Sequence, residues 1–315
     1  MPSGTAGGAR PGRTGHSGGV AGAGAAGADR DADTAAALEH LAGLPEVAAV
    51  VESTREACIA LRRHPALRRR TAAARAEAMV RAAHSTAALA GSQLPVALFR
   101  DAVRGRADFP DDAAGRTARG ALRALAEVER LGPTWGQAPL QALARLHTAA
   151  GAGLMADDLL GRPRPAGAQP GDGADLHDAT GAPLIAPDGQ QLAGRLESLA
   201  ALMRAPASVP ALLVAALVHA EVAVVRPFSA GNGLVARALC RAVVVERGLD
   251  ASGVAVWEPA LVAAGVTYSQ ALSDYATGRP SGVTGWVCGF GEAVQAGALE
   301  GQAVCDAVLA GRLPD

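Results

Sequence analysis

The sequence predicts an all-α protein, and three observations carry that prediction. Half of the 315 residues are hydrophobic but only 3% are aromatic, so the core has to be built from Ala, Leu and Val. Ala and Leu are strong helix formers, and such a mixture favours close-packed helices. Apolar residues recur at helical spacing through most of the chain. Neither an internal repeat nor the alternation of strand and helix patterns that builds a parallel sheet is present.

Residues 1–34 are mostly Gly, Ala, Ser, Arg and Asp in no periodic order. Such a segment buries too little apolar surface to offset its ordering entropy, so a disordered tail is expected. An N-terminal helical region, 35–135, comes next. Leu38, Leu41, Val47, Val50 and Val51 mark helix from Thr34 to Leu61, divided at Pro45 and ended by Pro65. The next helix is expected from Arg68 to Leu89. Its Arg-rich face (Arg68, Arg69, Arg70, Arg75, Arg81) reads as solvated. Gly91 ends it, Pro95 opens a short helix through Phe99 and Val103, and Asp111 and Asp112 start another that continues to Leu131.

A core region, 136–311, takes up the rest of the pattern. Trp135 to Ala150 reads as a helix carrying Leu143, Leu146 and His147. Residues 161–190 break the rhythm with five prolines (Pro163, Pro165, Pro170, Pro183, Pro187) and frequent Gly and Asp. A long loop of this kind inside a compact domain is functional or disordered. Helix returns from Gln191 to Met203. Ser208 is placed to cap the apolar helix that runs to Val225, with Pro210 in its first turn. A further helix runs to Gly248, and two more span about Pro259 to Ala276 and Val283 to Leu309.

Composition narrows the function. A formal net charge of −1 gives no reason to expect nucleic-acid or anionic-membrane binding. All 29 Lys/Arg positions are Arg, a bias of composition rather than chemistry. Cys58, Cys240, Cys288 and Cys305 form no C-x-x-C pair, so free thiols, no zinc site and a cytoplasmic location are expected. No basic segment followed by an apolar run opens the chain. The apolar run Val209–Val225 is borderline for a membrane span, but His219 and Glu221 lie within it, so it reads as a buried core helix.

Between that helix and the next lies Arg226-Pro227-Phe228-Ser229-Ala230-Gly231-Asn232-Gly233, and Asn232 is the only asparagine in the chain. Glycines at the mouth of a helix permit positive φ and close approach of a ligand. The free N–H groups of the following turn then face outward as an anion site, with Arg237 one turn further on. Arg226, Ser229, Gly231, Asn232, Gly233 and Arg237 are therefore the candidate phosphate- or nucleotide-binding residues. The plain alternative is a helix–turn–helix corner. Gly231-Asn232-Gly233-Leu234-Val235-Ala236 also satisfies G-x-G-x-x-A, which would suit an NAD-binding oxidoreductase with Glu246 near a ribose, but that motif needs a strand ending at the first glycine. A P-loop fails because no lysine is available to reach a phosphate.

The same stretch resembles the signature of Fic-domain (Fido superfamily) proteins, His-Pro-Phe-x-Asp/Glu-Gly-Asn-Gly-Arg-x-x-Arg. Pro227, Phe228, Gly231, Asn232, Gly233 and Arg237 stand at matching positions. His219-Ala220-Glu221 is similar to the helix before that signature, Tyr268, Leu272, Tyr275, Gly278 and Trp286 to the helical tail after it, and Leu146-His147 with Gly161-Arg162-Pro163-Arg164 to the approach to the family's substrate-aligning flap. The resemblance implies a helical bundle around a central helix–loop–helix. It also implies ATP or another nucleotide as ligand and transfer of AMP to a hydroxyl of a partner protein.

The departures fall on the chemistry. The family's general-base histidine corresponds to Arg226, and a guanidinium does not give up its proton. The family's Mg²⁺-holding acid corresponds to Ala230, so magnesium is not held in the usual way. The first signature arginine is Leu234. Thr86-Ala87-Ala88-Leu89-Ala90-Gly91 resembles the family's inhibitory motif with Ala90 in place of its glutamate. No residue is a certain catalytic group: His219 lies about two helical turns, roughly 10 Å, before Arg226, His177 reads as a solvated loop residue, and His147 stays open. Loss of a general base typically costs about 10²–10⁴-fold. The expectation is thus an adenylyltransferase-like pseudoenzyme that keeps its phosphate cradle, with an active but unorthodox transferase and a ligand-free scaffold as alternatives.

Overall fold

A computed structural model of the chain describes residues 19–132, 134–173 and 175–313. Among them are thirteen α-helices and no strand beyond two isolated bridges. In order these are α1 (Gly19–Ala42), α2 (Pro45–Arg62), α3 (Thr71–Ala88), α4 (Val96–Val103), α5 (Ala113–Leu131), α6 (Thr134–Gln137) and α7 (Pro139–Gly151). They continue as α8 (Gly189–Met203), α9 (Ala211–Val225), α10 (Asn232–Glu246), α11 (Glu258–Ala264), α12 (Val266–Ala276) and α13 (Pro280–Leu309). The all-α expectation holds.

Boundaries obey local chemistry. Pro45 and Pro139 occupy first helical positions, where a missing N–H costs nothing. Asp112 caps α5 by accepting from Gly115 N–H at 2.8 Å. Gly248 comes just after α10 with φ +75°. Several expectations need correction. The first eighteen residues lie outside the described residues, but from Gly19 the chain is helical, so the tail boundary placed at 34 falls inside α1. Ala-rich sequence favours helix, and Arg30–Glu197 and Arg204–Asp31 pairs at 2.9 and 2.7 Å tie α1 to α8. Arg204 holds the Asp31 carboxyl below its usual range.

Pro65–Arg68 forms a 3₁₀ turn, so α3 starts three residues later than expected. On its Arg-rich face, Arg68, Arg69 and Arg70 are exposed. Arg81, however, pairs with the buried Glu77 at 2.8 Å, and Arg100 of α4 reaches the same carboxylate at 2.7 Å. Ser208 is not a cap: Pro210 itself takes the extended conformation, ψ 133°, before α9 begins. The expected Pro259–Ala276 helix is broken by Gly265 at φ +50° into α11 and α12.

The central element is α9, apolar but for His219 and Glu221 and buried along nearly its whole length, as a helix without a broad polar face must be. No single helix among the described residues is long and apolar enough to cross a membrane. Helices α8, α10, α12 and α13 surround α9. The long α13 approaches its neighbours through glycines. A Cβ on Gly297 would stand 2.6 Å from Trp257 N, and Val256 N–H donates to Gly297 O at 2.9 Å. Beside it, Arg241 is buried against Glu258 at 2.7 Å and lies 4.1 Å above the Trp257 ring. Cys58, Cys240 and Cys305 are buried and Cys288 is half-buried, all free, and burial pushes the Cys58 thiol up to about 12.

Candidate functional site

The helix–loop–helix of α9 and α10 builds the site. Arg226 caps α9 in the left-handed region at φ +47°, where among the described residues every other residue is glycine. This turns the chain sharply into Pro227 and Phe228. Asn232 then closes the loop on itself: its Oδ1 accepts from Phe228 N–H and its Nδ2 donates to Phe228 O, both at 2.9 Å. Gly231, at φ +76°, lets α10 begin one residue later, and Gly231, Asn232, Gly233 and Leu234 line a cavity of about 260 Å³. The run into Gly231 is helix and loop, not strand, so a Rossmann site, which needs a strand there, is ruled out.

Arg237 lies one turn inside α10 and is 2% exposed. Its Nη2 donates to Thr86 O at 3.0 Å, while its Nε has no partner. The guanidinium rests over Gly233, 3.3 Å from where a Cβ would be, which explains a small residue there. Thr86 belongs to the end of α3, so the Thr86–Gly91 segment does meet Arg237. Arg237 is thus bonded to a backbone carbonyl of this segment, and Leu89 and Ala90, the latter at the position where the family resemblance puts a glutamate, line the cavity.

Arg226 and Ser229 do something other than expected. The Arg226 side chain turns away from α10, because the irregular loop offers it carbonyls: Asp172 O at 3.2 Å, Gly173 O at 3.3 Å and Leu184 O. It is a clamp on backbone, though it still borders the cavity. Ser229 acts through its carbonyl, which accepts from Gly171 N–H at 2.8 Å. Pro227 O accepts from Arg164 N–H at 2.8 Å, and Arg226 O accepts from Arg164 Nε at 3.1 Å. Residues 161–173 and 175–190 are therefore fastened to the glycine loop through the carbonyls of Arg226, Pro227 and Ser229.

Two of the three candidate histidines are held in the interior. His147 of α7 is fully buried and stacks on Phe228, with ring centroids 3.7 Å apart. Gly161 N–H donates to its Nδ1 at 2.9 Å, so Nε2 carries the proton and donates to Ala230 O at 3.2 Å. Burial lowers its pKa to about 4. His219, fully buried among Tyr268, Trp286 and Phe290, bonds the Tyr268 hydroxyl at 2.9 Å, and burial with the nearby Arg237 lowers it to about 3. His177 is exposed, and its backbone N–H donates to Ser273 Oγ at 3.1 Å.

One site residue had no signal in the sequence. Asp172, in the irregular loop, reaches the start of α10. Its Oδ2 accepts from Asn232 N–H and its Oδ1 from Asn232 Nδ2, both at 2.7 Å. The pairing spans 60 residues of chain with no periodic relation. Asp175 borders the same cavity and accepts from Ser269 Oγ. Among the described residues no group of three or more His, Cys, Asp or Glu is placed to hold a metal ion.

A buried helical hairpin whose glycine loop borders a cavity beside the irregular 161–190 loop defines an all-α protein with a cleft at a helix N-terminus. Comparison with solved structures gives that class its fold. The chain is similar to a Fic family protein from Desulfovibrio desulfuricans G20, with a TM-score of 0.66 and 17% identity over 86% of this chain and 76% of that one. It is also similar to Fic-1 from C. elegans, with a TM-score of 0.59 and 17% identity over 85% and 75%. The chain has the fold of Fic proteins. No family model and no curated protein matches its sequence.

Proposed function

We propose that this Fic-like protein retains a phosphate- and nucleotide-binding cradle and has lost efficient AMP transfer. Support for binding comes from one arrangement above all. Residues at the N-terminus of α10 and the buried Arg237 line the same 260 Å³ cavity, and the Arg237 Nε has no hydrogen-bond partner. Backbone N–H groups, the positive end of a helix dipole and a guanidinium together suit a phosphoryl group. Support for impaired transfer comes from the two positions where the family's chemistry would sit. Arg226 cannot accept a proton and is directed at loop carbonyls. Ala230 offers a divalent cation only its carbonyl, which already accepts from His147.

A second function, active but unorthodox transfer to a hydroxyl of a partner protein, draws support from Asp172 and Asp175, carboxylates that line the cavity. Calorimetric titration with ATP, with and without Mg²⁺, tests the cradle. The expected result is binding little altered by Mg²⁺ and weakened at least about tenfold by Arg237→Ala, the scale of a lost charge-assisted hydrogen bond. An affinity unchanged by Arg237→Ala would overturn the proposal. AMP appearing on a partner protein in a manner abolished by Asp175→Asn would favour the second function.

A further inference from the structure

We propose that Asp172 is an internal substitute for the ligand's phosphoryl group, so that the site is closed by its own flap and a nucleotide binds by displacing that carboxylate. The inference rests on the proposed phosphate cradle and concerns how it is regulated. The donors a phosphoryl oxygen would use at the head of α10 are the Asn232 backbone N–H and, beside it, the Asn232 amide. Both are held by Asp172 at 2.7 Å. A carboxylate at a helix N-terminus gains the same dipole and charge-assisted bonds as a phosphate. One pair of donors cannot serve both anions at full strength.

The flap is built to hold the carboxylate there. Gly171 N–H bonds Ser229 O, and Arg226 grips the main-chain carbonyls of Asp172 and Gly173. Gly173 takes φ +77°, and a Cβ on it would lie 2.8 Å from Arg226 Cδ, so only glycine allows the guanidinium this close. Arg226, at the position of the family's base, is thus a latch for the flap. Arg237, which lines the same cavity, stays buried with its Nε unpartnered and makes no hydrogen bond to Asp172.

Self-occupation lowers apparent affinity in proportion to the closed population, Kd,app = Kd divided by the competent fraction. Removing the internal anion should therefore tighten binding, whereas losing an ordinary ligand contact or a merely structural residue weakens it. The experiment compares wild type, Asp172→Asn and Asp172→Ala by calorimetry with ATP and with inorganic pyrophosphate, which carries the phosphoryl chemistry without the base. Thermal melting confirms that each variant is folded, and the isosteric Asp172→Asn guards against a loss of folding in Asp172→Ala. The expected result is affinity about tenfold or more tighter in both variants, for both ligands. Hydrogen exchange on wild type should show the 171–177 segment losing protection when ATP is added. Equal or weaker binding by the variants, with wild type binding, overturns the self-occupied site and leaves the cradle standing. No binding by wild type or either variant overturns the cradle, and this inference with it.

Discussion

His147 shows how much one side chain settles. Its stacking on Phe228 and its two ring hydrogen bonds fix the neutral tautomer, and they join α7, the start of the flap and the glycine loop at one point. Burial holds its pKa at about 4 and that of His219 at about 3, both below the ordinary 6.5. A depressed folded-state pKa means that the unfolded chain takes up protons first as the pH drops. Stability from these groups is therefore complete above about pH 6.5 and falls on acidification through the window down to about 4 for His147 and about 3 for His219. Each contributes a slope of at most about 1.4 kcal/mol per pH unit. Urea unfolding at a series of pH values checks this, and a flat stability between pH 6.5 and 5 would contradict it. At this scale the sequence was partly legible. Asn232 stood out as the lone asparagine between glycines, but that its side chain ties the loop through Phe228 had no local signal. Arg226 was visible as a non-base, but nothing local told that loop carbonyls would draw it aside. Asp172 was invisible, because its partner is remote in sequence.

Helices were legible where punctuation was local. Pro45, Asp112, Pro139 and Gly248 each do at the helix ends what their backbone chemistry dictates. Tertiary contacts decided the rest: α1 extends into a stretch of tail-like composition because α8 supplies ion-pair partners, and Gly265 breaks a helix that periodicity would continue. The glycines of α13 are explained only by what passes beside them. At Gly297 an added methyl would collide with the backbone at Trp257, which cannot swing away as a side chain could. Gly297→Ala should therefore destabilise the protein by about 1–3 kcal/mol despite Ala's better helix propensity. Chemical denaturation measures this, and a gain in stability would show that the α13 interface yields.

Across the whole molecule, the flap has its tip in water and its base fastened. Residues 177–183 are exposed, whereas Arg164, its guanidinium bonded to Arg226 O and Pro187 O, holds the two ends of the excursion together. Polypeptide continuity at the tip is then dispensable. A chain cut between Asp178 and Ala182 would become two fragments, one carrying α5, α7 and Asp172, the other α9, α10 and the donors that Asp172 engages. Contacts of α10 with α5 and α7 would keep them together. Gel filtration of the nicked protein should show one particle of unchanged size, and separate elution of the halves would show that the covalent link matters. A site divided in this way lends itself to a split protein, in which the half that carries Asp172 and the half that carries Asn232 and Arg237 are made apart and reassembled.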